Sequence, residues 1–347
     1  MPGPTGHVSP RPPLAPARQL GNALLLGIVA VPGIFFVRHF VTTCGADAGG
    51  TPVPVWDLSA LFGSLCAYGV QHPIALLNVV FFVNVTLLFW LIALAQRSTW
   101  LIDPYWTLLP VLMGLYYWAH PAHTGHPLRA GVALGLVCVW SVRLTHSYFR
   151  REEWRFGWRE DWRFAEWRER FPQHWWWMSF FVAFLSQQVM LVGLCLPLYA
   201  VNARAPAWNA VDTLATLLCL AGIAIAHVAD TQLRRFMVAN ERRAAAGEPT
   251  VPLLDRGLWR HSRHPNYFGE QLWWWSLALY GVNTGVWWCV AGALINSLVL
   301  AAVTVMTERR MAQRPERAAP FREYQRSTSV WIPWRRSRGR AGAGSPR

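Results

Sequence analysis

Lysine is missing from this chain of 347 residues, and all 32 of its side-chain cations are therefore arginines. That bias follows the base composition of a gene and excludes no function by itself. Charge of either sign is scarce, at 14% of residues, where a soluble domain carries about 25%. With 53% hydrophobic residues and 22 Trp, the deficit excludes an ordinary soluble globule and points to a chain solvated largely by lipid. The net charge of +14 invites a nucleic-acid reading, but the arginines cluster between apolar runs, where the loops of a membrane protein carry them. Nucleic-acid binding is excluded on that pattern. Cysteine is sparse too: Cys44, Cys66, Cys138, Cys195, Cys219 and Cys289 are scattered with no CxxC pair. They are expected to be small core residues rather than a disulfide or zinc framework.

A membrane helix needs about 20 predominantly apolar residues. Residues 20–40, 75–95, 101–120, 129–149, 176–200 and 210–229 meet that need. The run 270–306 is too long for one span and holds Gly281, Asn283 and Gly285 near its middle, so it reads as a hairpin of about 268–282 and 286–306. Segment 55–70 is mixed and reads as interfacial. The Pro/Gly-rich residues 1–17 and the basic tail 335–347 are expected to be disordered. The apolar run after residue 17 is too long for a signal peptide and reads as a retained helix. The organisation expected is an N-terminal transmembrane region over 18–96 and a second transmembrane domain over 97–334. The fold class is thus all-α, a polytopic bundle of about seven or eight helices with a cofactor cleft in its C-terminal half.

Arginines concentrate in 150–170, 231–264 and 309–326, which places all three segments on the cytoplasmic side. The membrane is a bacterial inner membrane or one of endoplasmic-reticulum type. Two Trp triplets, Trp175–Trp177 and Trp273–Trp275, read as interfacial belts, the second also as a possible pocket wall.

The densest polar motif is Gly257-Leu-Trp-Arg-His-Ser-Arg-His-Pro-Asn-Tyr-Phe-Gly-Glu270. Pro265 suits the first turn of a helix. Arg260, Arg263 and His264 beside a helix start make a plausible phosphate site. Glu270 falls near the membrane surface, where an ionisable group is a functional candidate by default. His261 and His264 have the spacing of metal ligands, but no cluster completes a site, and no metal is expected. Upstream, Asp230 closes an apolar span and Arg234 follows at helical spacing. Downstream, Glu308-Arg-Arg310 leads to a segment with Tyr324 that can fold back as a lid.

Arg263-His-Pro-Asn-Tyr-Phe-Gly-Glu270, Asp230-x-Gln-Leu-Arg-Arg-Phe236 and Tyr324-Gln-x-x-Thr-Ser-x-x-Ile-Pro333 resemble the steroid 5-alpha-reductase C-terminal family, and among its branches the DUF1295 group. Ile102-Asp-Pro-Tyr-Trp106 and the stretches Arg143-Leu-Thr-His and Glu160-Asp-Trp-Arg163 fit the same branch, so the resemblance spans about 97–334. It implies a membrane enzyme that uses NADPH to reduce a C=C bond, conjugated to a carbonyl, in a hydrophobic substrate. By that resemblance Asp230, Asn266 and Glu270 match cofactor-contacting positions. Tyr267 matches a Tyr of the related sterol-reductase motif. Arg260, His264, Arg310 and Tyr324 are looser placements, and Asp103 and Tyr105 are positional candidates for polarising the acceptor carbonyl. The chain departs from the steroid enzymes at Ala226, where they carry Asn, and at Glu308-Arg309-Arg310, where they carry His residues. Two alternatives remain open. Isoprenylcysteine carboxyl methyltransferases share the architecture and Arg-His-Pro-x-Tyr, which would make S-adenosylmethionine the cofactor. A lipid-binding protein without catalysis is the other. Nothing in the sequence speaks to oligomeric state.

The arginine pattern makes a topological prediction. Cysteines introduced at positions 155, 245 and 320 should react with a membrane-impermeant thiol reagent from one common side. Reaction of position 245 from the opposite side overturns the topology.

Overall fold

The structure is a computed structural model that describes residues 15–44 and 58–336. The expected disordered ends fall largely outside these residues, although Pro16 already opens a helix. Among the described residues the fold is helical, apart from one isolated bridge between Ser262 and Ser329.

Among the described residues six segments are long and apolar enough to cross a membrane. The first, Pro16–Cys44, joins α1 (Pro16–Ile28) to α2 (Val31–Cys44). Its break frees the Val29 carbonyl, which accepts from Asn84 Nδ2 at 3.0 Å, as a backbone group in lipid must find a partner. After α3 (Leu58–Gln71), the second span, Pro73–Gln96, runs through α4 (Pro73–Phe81), a π turn and α5 (Leu88–Gln96). Next come α6 (Ile102–Ala119), the spanning α7 (Pro127–Arg151) and the short α8 (Trp162–Arg170). The span Trp175–Ala203 contains α9 (Trp175–Ser179), a π turn, α10 (Ser186–Leu194) and α11 (Leu196–Ala203). Then follow α12 (Ala210–Ala245), α13 (Pro265–Asn283) and α14 (Ala291–Ala312), whose span begins at Trp287. The short α15 (Pro315–Ser327) completes the order.

The two remaining expected spans, 101–120 and 268–282, are the helices α6 and α13, but they fall outside the apolar six. They carry Asp103 and three tyrosines, and Asn266, Glu270 and Gln271, respectively. Both lie mostly inside the bundle, where neighbouring helices rather than lipid face their polar groups.

Contacts fix which helix ends share a side. Asn22 Nδ2 donates to the Phe156 carbonyl at 2.9 Å and Gln96 Nε2 to Asn22 Oδ1 at 3.1 Å, so α1 begins where α5 and α7 end. At the other end Asn209 and Asn283 exchange side-chain hydrogen bonds, joining the start of α12 to the close of α13. The three arginine-rich segments therefore gather at one end of the bundle.

Two expectations need correction. Residues 231–245 do not form a loop but extend α12 to 36 residues. The stretch is rich in Arg and Ala, good helix formers, and meets no breaker before Gly247. Cys44 and Cys66 form a disulfide between α2 and α3, at the end away from the arginines. Their spacing of 22 residues belongs to no motif, and pairing of scattered cysteines cannot be read from sequence. Segment 55–70, expected as mixed and interfacial, is helical from Leu58 onwards.

Small residues bring α12 against α13. A Cβ on Gly269 would lie 2.6 Å from the Ala226 nitrogen, and one on Gly222 would lie 2.7 Å from the Trp273 nitrogen. This is the small-residue contact by which membrane helices approach closely. It explains Ala226, since an Asn there would strike Gly269. Near the other end Arg129 and Asp212 form a fully buried pair, with Nε to Oδ1 at 2.7 Å and Nη2 to Oδ2 at 2.8 Å. Arg129 also donates to the Pro206 and Ala207 carbonyls at 2.7 and 2.9 Å.

Arg129→Gln should leave the Asp212 charge buried and unpaired, at a loss of about 3–5 kcal/mol. Thermal unfolding of the detergent-solubilised protein checks this. An unchanged melting temperature would show that the pair carries no stability.

Candidate functional site

Three helices bring their charges together at the arginine-rich end. Arg143 lies two turns before the end of α7 and donates Nη1 to Asp230 Oδ2 on α12 at 3.2 Å. Its Nη2 contacts Glu270 Oε1 on α13. Trp140, one turn earlier, donates its indole N–H to Glu270 Oε2 at 2.9 Å. Asn266 Nδ2 donates to Asp230 Oδ1 at 3.2 Å. The antiparallel register of α12 and α13 dictates this meeting: residue 222 faces 273, 226 faces 269, and 230 faces 266.

The cluster is not saturated. Arg143 Nε and Asn266 Oδ1 are buried without a hydrogen-bond partner, as are Ser147 Oγ, one turn along from Arg143, and Thr231 Oγ1, beside Asp230. Buried polar atoms are normally paired, so this concentration marks a place for a polar ligand or for water. Two carboxylates around one guanidinium also leave an excess of negative charge.

A floor of tryptophan lies beneath. Trp140, Trp273 and Trp274 are almost fully buried. Trp140 stacks on Trp273 at 6.0 Å and meets Trp274 edge-on at 4.9 Å. Trp106 approaches Trp140 at 5.9 Å. The second Trp triplet is thus an inner wall at two of its three positions, with Trp275 outermost. In the first triplet Trp175 is buried and Trp177 exposed.

Beside the cluster, Asp161 caps α8 by accepting from the Arg163 nitrogen at 2.8 Å. Arg163 returns its guanidinium to the same carboxylate, with Nε at 2.9 Å and Nη2 at 2.6 Å. Burial works against the Asp161 charge, but the hydrogen bonds and charge of Arg163 outweigh it and hold the carboxyl below its ordinary pKa. Asp103 and Tyr267 are near enough to Arg163 to act on it electrostatically.

A separate knot braces the start of α13. Arg263 grips Glu308 of α14 with Nε at 2.8 Å and Nη2 at 3.3 Å, and Nη1 donates to the Gln325 and Thr328 carbonyls. His264 Nε2 lies 3.0 Å from Glu308 Oε1. The buried Tyr324 donates its hydroxyl to the Trp259 and Ser262 carbonyls. Trp259 Nε1 in turn donates to the Ala229 carbonyl at 3.1 Å, and the Leu258 nitrogen to Gln232 at 3.0 Å. The motif 257–270 therefore lies against the region of α12 around residues 229–232.

The structure brings Asp230, Asn266 and Glu270 together. Tyr267 is half-buried at the same end, its ring stacked on His264 at 5.1 Å. Arg263, His264 and Tyr324 are committed to the bracing knot. Arg234 has only a long contact of 3.8 Å to Glu241, Arg260 is exposed, and Arg310 lies over the Trp162 ring at 4.5 Å. Tyr105 is not brought to the cluster, because its hydroxyl donates to the Leu26 carbonyl at 2.6 Å. The sequence reading gave Arg143 no role beyond its motif and overlooked Trp140. The signal for Arg143 was an ionisable residue two turns inside an apolar helix. Among the described residues no group of three or more His, Cys, Asp or Glu could hold a metal ion.

Residues 89–328 match the family model described as "Protein of unknown function (DUF1295)". The chain belongs to the DUF1295 family. This family's model covers both the Arg143 motif and the 257–270 motif. The chain is also 27% identical over 269 residues to "Uncharacterized protein C594.04c" of Schizosaccharomyces pombe, an alignment covering 70% of this chain and 75% of that protein. No solved structure matches the chain significantly.

Arg143→Gln should leave two carboxylates facing each other in the bundle and destabilise by about 3 kcal/mol. Adding Glu270→Gln should recover part of the loss, with a coupling of at least about 0.5 kcal/mol in a double-mutant cycle. Strictly additive melting shifts would separate the two residues energetically.

Proposed function

We propose that this protein is a membrane reductase that uses NADPH to reduce a C=C bond, conjugated to a carbonyl, in a hydrophobic substrate. The observation that carries the reading is the unsaturated polar cluster of Arg143, Asp230, Asn266 and Glu270 over a tryptophan floor. The resemblance to the steroid 5-alpha-reductase family supplies the chemistry.

The residues fit the parts of a phosphorylated dinucleotide. Asp230, Glu270 and the idle Asn266 oxygen are acceptors, suited to sugar hydroxyls and a carboxamide N–H. Among the described residues Arg234, Arg260 and Arg310 hold no short ion pair, and they have donors for phosphate oxygens. When bound, the cofactor supplies a hydride, while the protein provides orientation and electrostatics. Negative charge develops on the acceptor's carbonyl oxygen, and an acid beside it lowers the barrier. In this reading Tyr267 and Asp103 are the candidates for that role; the Tyr267 hydroxyl is hydrogen-bonded to Thr307, and that of Tyr105 to the Leu26 carbonyl. The tryptophans exclude water from the reacting centre. In this reading residues 97–334 form the reductase domain and 18–96 an N-terminal transmembrane region. The arginine-rich end and the C-terminus face the cytoplasm. The Cys44–Cys66 disulfide at the opposite end suits the oxidising side of a bacterial inner membrane or of the endoplasmic reticulum.

One observation favours the methyltransferase alternative. The excess negative charge of the cluster would neutralise the sulfonium of S-adenosylmethionine.

Melting temperature measured with NADPH and with S-adenosylmethionine separates the readings. A ligand at 100 times its Kd should add about 2.7 kcal/mol of stability, and NADPH is expected to do so. Asn266→Ala and Glu270→Gln should each weaken NADPH binding about tenfold, or ~1.4 kcal/mol. Stabilisation by S-adenosylmethionine alone would make the protein a methyltransferase. No response to either would favour a lipid-binding protein without catalysis.

A further inference from the structure

After α15 the chain doubles back as a strap over the start of α13. The Arg263 nitrogen donates to the Ser329 carbonyl at 2.8 Å, the His264 nitrogen to the Val330 carbonyl at 3.0 Å, and the Trp334 nitrogen to the His261 carbonyl at 2.9 Å. The strap bends at residues 330–332, where the Ser329 hydroxyl donates back to the Ile332 carbonyl. Here Ser329, Trp331 and Pro333 are half-buried, while Val330, Ile332 and Trp334 are 42%, 66% and 72% exposed. Three large apolar side chains are therefore exposed along the strap.

The strap's depth is fixed by Trp331, whose Nε1 donates to Thr304 Oγ1 of α14 at 3.0 Å. Thr304 lies inside the apolar span Trp287–Ala312, eight residues before its end, or about 12 Å along the axis. Its neighbour Val305 is exposed on the outer face of the bundle. The strap thus crosses α14 near the edge of the hydrocarbon, where Trp and apolar side chains partition into the interface. Charge follows at once. Arg335 is exposed and makes no ion pair among the described residues, while Arg336 is paired with Asp255 at 3.1 Å. A surface niche of about 460 Å3 opens between His261, Pro333, Trp334 and Arg335, with Arg260 exposed next to it in the chain.

We propose that the niche binds the phosphate headgroup of an anionic membrane lipid, with Val330, Ile332 and Trp334 inserted beside its glycerol and upper acyl carbons. Arg335 supplies the charge for the phosphate, and the tryptophan supplies the interfacial anchor. The strap's carbonyls hold the Arg263 and His264 nitrogens, so the bound lipid also steadies the first turn of α13, from which Asn266 and Glu270 project.

The test uses the full chain in lipid nanodiscs. In a Cys138→Ser background, Ile332→Cys and, as an aqueous control, Glu248→Cys are labelled with an environment-sensitive fluorophore. The label at position 332 should shift to the blue and be quenched by brominated lipid, while that at 248 should not. In mixed phosphatidylcholine and phosphatidylglycerol discs, Arg335→Gln should lower the enrichment of phosphatidylglycerol around the protein about fivefold, the effect of one surface charge. Inorganic phosphate and glycerol 3-phosphate should leave that enrichment unchanged. The proposal falls if the label at 332 is as water-exposed as that at 248, or if Arg335→Gln leaves the enrichment intact. It also falls if the soluble phosphates compete, which would make the niche a soluble-anion site. Neither readout uses NADPH or turnover, so a failure here leaves the proposed reductase standing, and the reverse holds too.

Discussion

Gly269 meets Gly222 and Ala226 with almost no side chain between the two helix backbones, and that contact sets the register of α12 against α13. Once 226 faces 269, residue 230 must face 266, one turn further along. Glu270 then turns toward α7, where Arg143 and Trp140 reach it. A bulkier residue at any of the three small positions would separate the helices and pull the carboxylates off their shared arginine. The polar cluster is thus a consequence of backbone proximity, and the charges report on a packing decision made two turns away.

Among the described residues two arginines are buried in the bundle, Arg129 and Arg143, and they differ in how fully they are paired. Arg129 has a bidentate carboxylate and two carbonyls, which occupy Nε, Nη1 and Nη2. It is a closed pair, and closed buried pairs brace. Arg143 is divided between two carboxylates on different helices and leaves Nε idle. An open pair can exchange partners when a ligand arrives. The same distinction sorts the C-terminal motif, where Arg263 is saturated by Glu308 and two carbonyls while Arg260 is free at the surface.

Much of this was legible in the sequence because lipid leaves few options. Apolar length pointed to six of the eight expected spans, arginine placement to their common end, and Pro265 and Gly285 to the start of α13 and its turn toward α14. Asp230, Asn266 and Glu270 stood out as polar groups entering apolar helices. What escaped notice depends on distance in three dimensions. The Gly222-x-x-x-Ala226 pair looks like ordinary composition until Gly269 is seen against it. Arg263 and His264 look like anion ligands until Glu308, 45 residues after Arg263, turns out to hold them. Cys44 and Cys66 carry no spacing signal at all. The length of α12 was underestimated because its last turns are charged, and an apolar-run criterion stops where a solvated helix continues.

The disulfide between α2 and α3 bears on how the protein must be handled. It fastens a helix that spans to one that does not, at the end remote from the polar cluster. Reducing agents added to protect free thiols during purification would loosen that attachment while leaving Arg143, Asp230 and Glu270 in register. Such a preparation would differ in how its first span is tied to α3. Preparations made with and without reductant therefore differ in one covalent tie between α2 and α3, and lipid-facing measurements need to state which was used.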